Sequence, residues 1–169
     1  MSLTMYRASI PVFIRGLDVL SSLLEKAVAF ADAKGIAHAD IIGARLASDM
    51  LPFAAQIQRA SDTAKLSAQR LAGGEAPRFE DNEDSFAALQ ERIANTKAYL
   101  KSIDAKQLDD AETRTVTLKL KDVEPSFSGV DYLFGFGLPN FYFHVVTTYD
   151  ILRHLGVDIG KRDYLGPLK

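Results

Sequence analysis

The 169-residue chain contains no cysteine. This absence excludes disulfides, thiolate metal ligands and a cysteine nucleophile, and it is compatible with a reducing compartment. The chain also has no apolar run near the roughly 18 residues that cross a bilayer, and its first residues lack the basic and apolar regions of a signal peptide. The sequence therefore predicts a soluble cytoplasmic protein without a membrane partner.

The chain has no excess of charge of either sign. Its net charge of −2 gives no overall electrostatic signal for nucleic-acid binding, which usually depends on clustered Lys and Arg, although it leaves a local basic patch open. Hydrophobic residues make up 47% and charged residues 25%, which is ordinary for a globular protein. We expect one domain over residues 1–169, long enough to bury a core without metals or disulfides.

Apolar residues recur at three- and four-residue steps over most of the chain, which is typical of amphipathic helices. Proline and glycine interrupt or end the predicted helices. We expect Pro52 to break the second helical region and Gly35 to end the first. An acidic segment, residues 75–84, is expected to be a solvated connection. The predicted helices cover residues 10–34, 40–72 with its break, 84 or 85 to 103, and 139 or 140 to 156.

The period changes between the third and fourth helices. Residues 115–120 alternate and are rich in β-branched side chains, which predicts a strand, and residues 126–130 are a candidate partner across a turn-prone segment. Two strands alone are marginal, so the hairpin should lie against helices. We expect the aromatic residues 132–136 to anchor it as a loop and the tail, residues 157–169, to be irregular.

The last helix carries a histidine within its apolar face. Phe141, His144, Thr148, Ile151 and Leu155 share one side, which should face the core. A buried imidazole needs a hydrogen-bond partner in any role. His144 is therefore either a ligand or general base, or a neutral histidine bonded to Asp49 or another core polar group.

Two other polar residues are candidates for the same site. Asp49 precedes the expected break, where it would cap the restarting helix and also orient an imidazole. Gln56 lies seven residues later on the same side, where it either lines the cavity or marks the helix boundary. His154 cannot share an ion with His144, because ten helical residues separate them by about 15 Å and about 80°.

The remaining polar residues fit surface roles. His38 is expected in a surface loop with Asp40, and His154 near the end of the last helix. Asp150 is expected to pair with a basic residue of the tail such as Arg162. Asp62 and Lys65 form an i,i+3 pair, which we place on a solvated helix face.

Several segments carry a family resemblance. They are LASDMLP (46–52), DTAK (62–65), LPNFYFH (138–144), YDILR (149–153) and GKRDYLG (160–166). Over nearly its whole length the chain resembles an uncharacterised bacterial domain family of the DinB/YfiT-like superfamily. The resemblance implies an antiparallel four-helix bundle, all-α apart from a small β-hairpin insertion between helices 3 and 4.

The superfamily also implies a metal site, with one histidine from the second helix and two from the last, one turn apart. Some of its members are thiol-dependent transferases and isomerases. Here His144 matches one ligand, but Thr148 stands one turn later and Asp49 stands where the second-helix histidine is expected. Threonine is a poor ligand for zinc or nickel.

We therefore predict a degenerate metal site in a small-molecule-binding or structural protein that forms homodimers through its helix faces. No cofactor is favoured, although a divalent metal stays open. The alternative is a divergent metal-assisted transferase or hydrolase. In it His144 and Asp49 would be catalytic, and Gln56 and Thr148 would line the pocket.

Overall fold

The computed structural model describes residues 3–119 and 121–166, and the chain is mostly helical with one small antiparallel sheet. The helices are α1 Met5–Lys34, α2 His38–Ile42, α3 Phe53–Ala72, α4 Phe86–Ser102, α5 Gly129–Tyr132, α6 Leu138–His154 and α7 Lys161–Leu165, and the strands are β1 Thr115–Thr117 and β2 Ser126–Ser128. A 3-10 turn, Ala105–Leu108, follows α4, and a π-helical turn, Leu133–Gly137, joins α5 to α6.

Helix α1 begins at Met5, five residues before the predicted start. Thr4 supplies the cap, because its side-chain oxygen accepts a hydrogen bond from the backbone N–H of Arg7 at 3.3 Å. Pro11 consequently lies inside the helix and not in its first turn. The predicted end is confirmed, since Gly35 adopts a left-handed conformation with φ 65°.

The predicted break around Pro52 is confirmed, but the short helix before it is not the expected one. Helix α2 ends at Ile42, and the chain stays irregular until α3 begins at Phe53. The loop is closed by a hydrogen bond from Phe53 N to Ala44 O at 2.8 Å. Leu46, which falls within the predicted helical region 40–72, lies in this loop and is exposed.

Helix α4 and the hairpin follow the sequence pattern closely. Ser85 caps α4 as predicted, accepting from Ala88 N at 3.2 Å. The hairpin is present, with Val116 opposite Phe127 in an antiparallel register. Each strand is three residues long, shorter than predicted, and Leu120 at the end of the predicted first strand lies outside the described residues.

The aromatic segment before α6 is helical, although we predicted a loop. It runs through α5 and the π-helical turn into α6. Tyr132 fixes it to α3, because its hydroxyl contacts Ser67 Oγ and Arg70 Nη1, each at 2.9 Å. A side chain at Gly129 would bring its Cβ within 1.8 Å of Ala111 O, so only glycine fits where α5 begins.

The tail also departs from the prediction, because it forms α7. Asp163 accepts from Gly160 N at 2.7 Å and pairs with Lys26 of α1 at 2.6 Å. These contacts hold the pKa of Asp163 below its usual value, through the Lys26 hydrogen bond first and then the Gly160 amide. The predicted irregular tail is therefore wrong for residues 161–165, and residues 167–169 lie outside the described chain.

The long helices enclose the core. Helix α3 packs against α4 and α6, and α1 packs against the same two helices. The approach of α1 to α6 is close, because a Cβ at Gly16 would lie 2.3 Å from the ring of Phe141. Phe13 meets that ring edge-on at 5.0 Å. This packing brings the inner faces of α3 and α6 together, where His144 lies.

Candidate functional site

The inner face of α6 matches the predicted stripe. Phe141, His144, Thr148 and Ile151 are buried, whereas Leu155 at the helix end is exposed. The Thr148 hydroxyl donates to the backbone carbonyl of His144 at 2.8 Å. Thr148 therefore uses its proton within its own helix, a common arrangement for a buried threonine.

The imidazole of His144 is paired with Gln56 of α3. Its Nδ1 lies 2.8 Å from Gln56 Oε1, and the Gln56 amide nitrogen in turn donates to Leu51 O at 3.0 Å. An amide oxygen can only accept, so the geometry places the imidazole proton on Nδ1. Gln56 is 1% exposed and His144 8%. The pair thus satisfies two polar side chains in the core.

Asp49 is not part of this pair. It lies exposed in the loop between α2 and α3, and Pro52, not Asp49, occupies the N-cap position of α3. The predicted capping role is therefore wrong. The cause is the early end of α2, which moves Asp49 off any helix, so that Gln56 is the core polar group that meets His144.

His144 is a weak base in this setting. Burial lowers its pKa from the ordinary 6.5 to about 4, and the nearby charge of Arg59 contributes in the same direction. The imidazole is consequently neutral at pH 7. A general base works best when its pKa lies near the operating pH, so this environment does not tune His144 for proton transfer at neutral pH.

The donor set does not fit the divalent transition metal that the superfamily implies. It offers one imidazole, a neutral amide whose oxygen is already bonded to that imidazole, and a hydroxyl bonded to backbone. Across residues 3–119 and 121–166, no three His, Cys, Asp or Glu side chains come close enough together to hold an ion.

A second buried polar cluster lies on the other side of α3, and the sequence analysis missed it. Arg92 of α4 is 3% exposed. Its guanidinium contacts Asp62 at 2.9 Å, Asp81 at 3.0 Å and Glu83 at 2.8 Å. We call residues 75–85 the acidic strap, because Asp81 and Glu83 tie this segment to α4. The strap is exposed over most of its length, as predicted for a solvated connection, but Asp81 and Glu83 anchor it to α4.

Other side chains complete this cluster. Lys65 pairs with Asp62 at 3.1 Å, which confirms the predicted pair, but Lys65 is buried, so the predicted solvated face is wrong. Phe79 of the strap lies under both cations, 4.1 Å from Lys65 Nζ and 5.4 Å from the Arg92 guanidinium carbon. Arg59 pairs with Asp81, and it is the cation whose charge helps to lower the pKa of His144.

The neighbouring carboxylates keep Arg92 protonated. Burial by itself would lower the pKa of Arg92, but the hydrogen bond to Glu83 and the charges of Asp62, Glu83 and Asp81 hold it above its ordinary value. A sequence signal for this cluster existed. Arg92 lies between Leu89 and Thr96 on the buried side of α4, a position that requires acidic partners.

The other two histidines lie on the surface. His38 is the first residue of α2, not a loop residue, and its Nε2 lies 2.8 Å from Asp32, not Asp40. Its ring meets Phe86 edge-on at 5.1 Å. His154 is exposed at the end of α6, as predicted.

A cavity of about 520 Å³ opens between α1 and α4 beside His38. Its walls are mostly apolar, with a few polar groups at the edge, which is the usual composition of a small-molecule site. The residues that line it are Leu24, Glu25, Val28, His38, Ser85, Phe86, Ala87 and Gln90.

Comparison with known proteins agrees with this architecture. A crystal structure of a DinB family member protein from Shewanella denitrificans matches with 34% identity and a TM-score of 0.89, over 97% of this chain and 93% of that chain. The fold is therefore DinB-like. A search of curated proteins finds no match.

The chain belongs to the family described as Domain of unknown function (DUF1993), which matches residues 5–165. The predicted membership of an uncharacterised DinB-like domain family is thus confirmed. Within the described ranges, no helix is long and apolar enough to cross a membrane.

The lowered pKa of His144 predicts a pH-dependent stability. An unfolded histidine binds a proton near pH 6.5, whereas folded His144 resists protonation until about pH 4. The contribution of neutral His144 to the free energy of unfolding is therefore intact above pH 6.5 and is lost as the pH falls toward 4. Between pH 7 and pH 5 the free energy of unfolding should fall by about 2 kcal/mol more in the wild type than in His144→Gln.

Urea denaturation at the two pH values measures this difference, with His154→Gln as the surface control. Parallel pH dependence of the wild type and His144→Gln would show that the folded imidazole titrates normally and that the buried Gln56 pair does not exclude the proton.

The Arg92 cluster predicts a large cost for removing its cation. Arg92→Met leaves three carboxylates facing one another and should lower the free energy of unfolding by about 3–5 kcal/mol. Amide exchange in residues 79–83 should accelerate. The matched control is Lys97→Met on the same helix, which removes a partly exposed pair with Asp18 and should cost less than about 1 kcal/mol.

Arg92→Lys provides a milder test, since it keeps the charge but loses the planar guanidinium that spans several acceptors. Equal stability of Arg92→Met and Lys97→Met, with unchanged exchange in residues 79–83, would contradict the role of Arg92 in holding the acidic strap.

Proposed function

We propose that this protein binds a small molecule and does not catalyse a metal-assisted reaction. The observation that carries the proposal is the open, mostly apolar cavity of about 520 Å³ between α1 and α4. Small-molecule sites commonly have volumes of about 300–1,000 Å³ with apolar walls and a few polar groups. Most of its lining residues belong to the two long helices α1 and α4.

The degenerate metal site is part of the same proposal. The Gln56 amide oxygen accepts from His144 Nδ1, and the Thr148 hydroxyl donates to backbone, so neither the Gln56 oxygen nor the Thr148 hydroxyl is left free to bind an ion. Asp49 is exposed and makes no described hydrogen bond to the pair, which weakens the support for a transferase or hydrolase using both residues. The absence of a cofactor and a cytoplasmic location stay predictions.

We extend the proposal to the full fold, an antiparallel four-helix bundle of the DinB type formed by α1, α3, α4 and α6. Its support is the packing, since α1 and α3 each contact the other three helices, and α4 and α6 each contact both α1 and α3. A bundle of this kind leaves outward helix faces free for association.

The last part of the proposal is homodimerisation through α6. Phe143 and Val146 are exposed one turn apart on α6. We call Phe143 and Val146 the outer patch. An exposed apolar patch on a folded domain commonly marks a contact surface.

Ligand binding should depend on the cavity. A fragment screen monitored by NMR should shift the methyl signals of Leu24 and Val28, and Ala87→Trp should abolish these shifts because the indole fills the exposed space beside Phe86. Ala98→Trp on the same helix is the control, since Ala98 is exposed away from the cavity lining. Fragments that bind equally well to Ala87→Trp would contradict the site.

The same samples test the metal half of the proposal. Protein purified without added ions should contain zinc and nickel well below one ion per chain. Stoichiometric zinc or nickel that is lost in His144→Ala would overturn the degenerate-site assignment, whatever the outcome of the fragment screen.

The dimer has its own test. In sedimentation velocity the wild type should sediment as a dimer, and Phe143→Lys should shift it to monomer by placing a charge in the outer patch. Val123→Lys, which changes an exposed apolar residue in the hairpin turn, should leave the dimer intact. A monomeric wild type at high protein concentration would overturn the dimer proposal.

A further inference from the structure

The polar groups around the α1–α4 cavity differ in their availability to a ligand. Ser85 Oγ caps α4 by accepting from Ala88 N. The Gln90 side chain makes two hydrogen bonds with Ser21, each at 2.8 Å. Its amide nitrogen donates to the Ser21 carbonyl, and its amide oxygen accepts from the Ser21 hydroxyl. His38 Nε2 is engaged by Asp32. Three of the four polar lining residues thus already have protein partners.

Glu25 is the fourth polar lining residue, and its carboxylate is available. It is exposed on α1, and within the described ranges no Lys, Arg or His lies within 4 Å of it as an ion-pair partner. The adjacent Lys26 points elsewhere, because its ammonium pairs with Asp163 at 2.6 Å. None of the described lining residues is Lys or Arg. The cavity edge therefore carries a negative charge without a compensating one.

The apolar walls provide the second half of a recognition site. Leu24 and Val28 lie on α1, one helical turn apart, and face Phe86 and Ala87 of α4. The His38 and Phe86 rings meet edge-on at the same cavity, 5.1 Å apart. A flat or branched hydrocarbon group would be enclosed by these side chains, with its polar end directed to the Glu25 edge.

We infer that the α1–α4 cavity binds an amphipathic amine, a small molecule with an apolar body and one cationic nitrogen, with Glu25 as the counter-ion. This inference rests on the proposed function, because it names the ligand class of the same cavity. Charge complementarity selects the amine over a carboxylate or phosphate, which would meet the Glu25 carboxylate without a cation to receive it.

Three matched probes test the ligand class, namely 3-phenylpropylamine, 3-phenylpropan-1-ol and 3-phenylpropionate. They share an apolar body and differ in charge. In NMR titrations of the full chain, the amine should bind about two- to fivefold more tightly than the alcohol, as expected for one exposed ion pair, and the carboxylate most weakly. Added salt should reduce the preference for the amine.

The Glu25→Gln variant isolates the charge. It should bring amine affinity down to that of the alcohol and leave alcohol binding unchanged, whereas Glu91→Gln, a change at another exposed glutamate, should preserve the preference. Ala87→Trp should remove binding of all three probes.

The outcomes separate this inference from the proposed function. Equal binding of amine and alcohol, or a preference for the carboxylate, would overturn the amine assignment, while Ala87→Trp sensitivity would still support a ligand cavity. An amine preference that survives Glu25→Gln would also overturn it. If no probe binds, the amine assignment fails, and the fragment screen then decides the proposed function separately.

Discussion

The burial of the Arg92 guanidinium is the constraint on which much of this structure depends. A cation this far from water is tolerated only when acidic groups surround it, and here they come from two separate parts of the chain, Asp62 of α3 and the Asp81 and Glu83 carboxylates of the acidic strap. The cluster fixes the connection between α3 and α4 in place. It also buries Lys65, whose ammonium shares Asp62 and lies against Phe79.

Helix α3 contributes residues to two polar clusters, which lie on different sides of it. Gln56 faces α6 and meets His144, while Asp62 faces α4 and meets Arg92. Buried alanines, Ala60, Ala64 and Ala68, separate these contacts and allow neighbouring helices to approach closely. Arg59 lies between the clusters, because it pairs with Asp81 of the strap while its charge helps to lower the pKa of His144.

The sequence predicted the features that depend on local chemistry. The Ser85 cap, the Gly35 end of α1, the break at Pro52, the hairpin and the buried face of α6 follow from periodicity and capping preferences. Features that depend on partners far apart in sequence were missed. Gln56 and His144 are 88 residues apart, and Arg92 meets Asp62 across 30, distances over which periodicity carries no information. The helical form of the aromatic segment depends likewise on the Tyr132 contacts to α3.

The His144–Gln56 pair explains how a DinB-like fold can remain intact without the superfamily's metal ligands. Imidazoles that converge on an ion depend on that ion as a partner, whereas the Nδ1 of His144 has a protein partner in the Gln56 amide oxygen. Gln56 is itself fixed by Leu51 O, and Thr148 by the His144 carbonyl, so each polar group is held by its neighbour. The polar groups between α3 and α6 are thus engaged with one another and with backbone. The cavity between α1 and α4, with Glu25 at its edge, is the site at which we propose that a ligand binds.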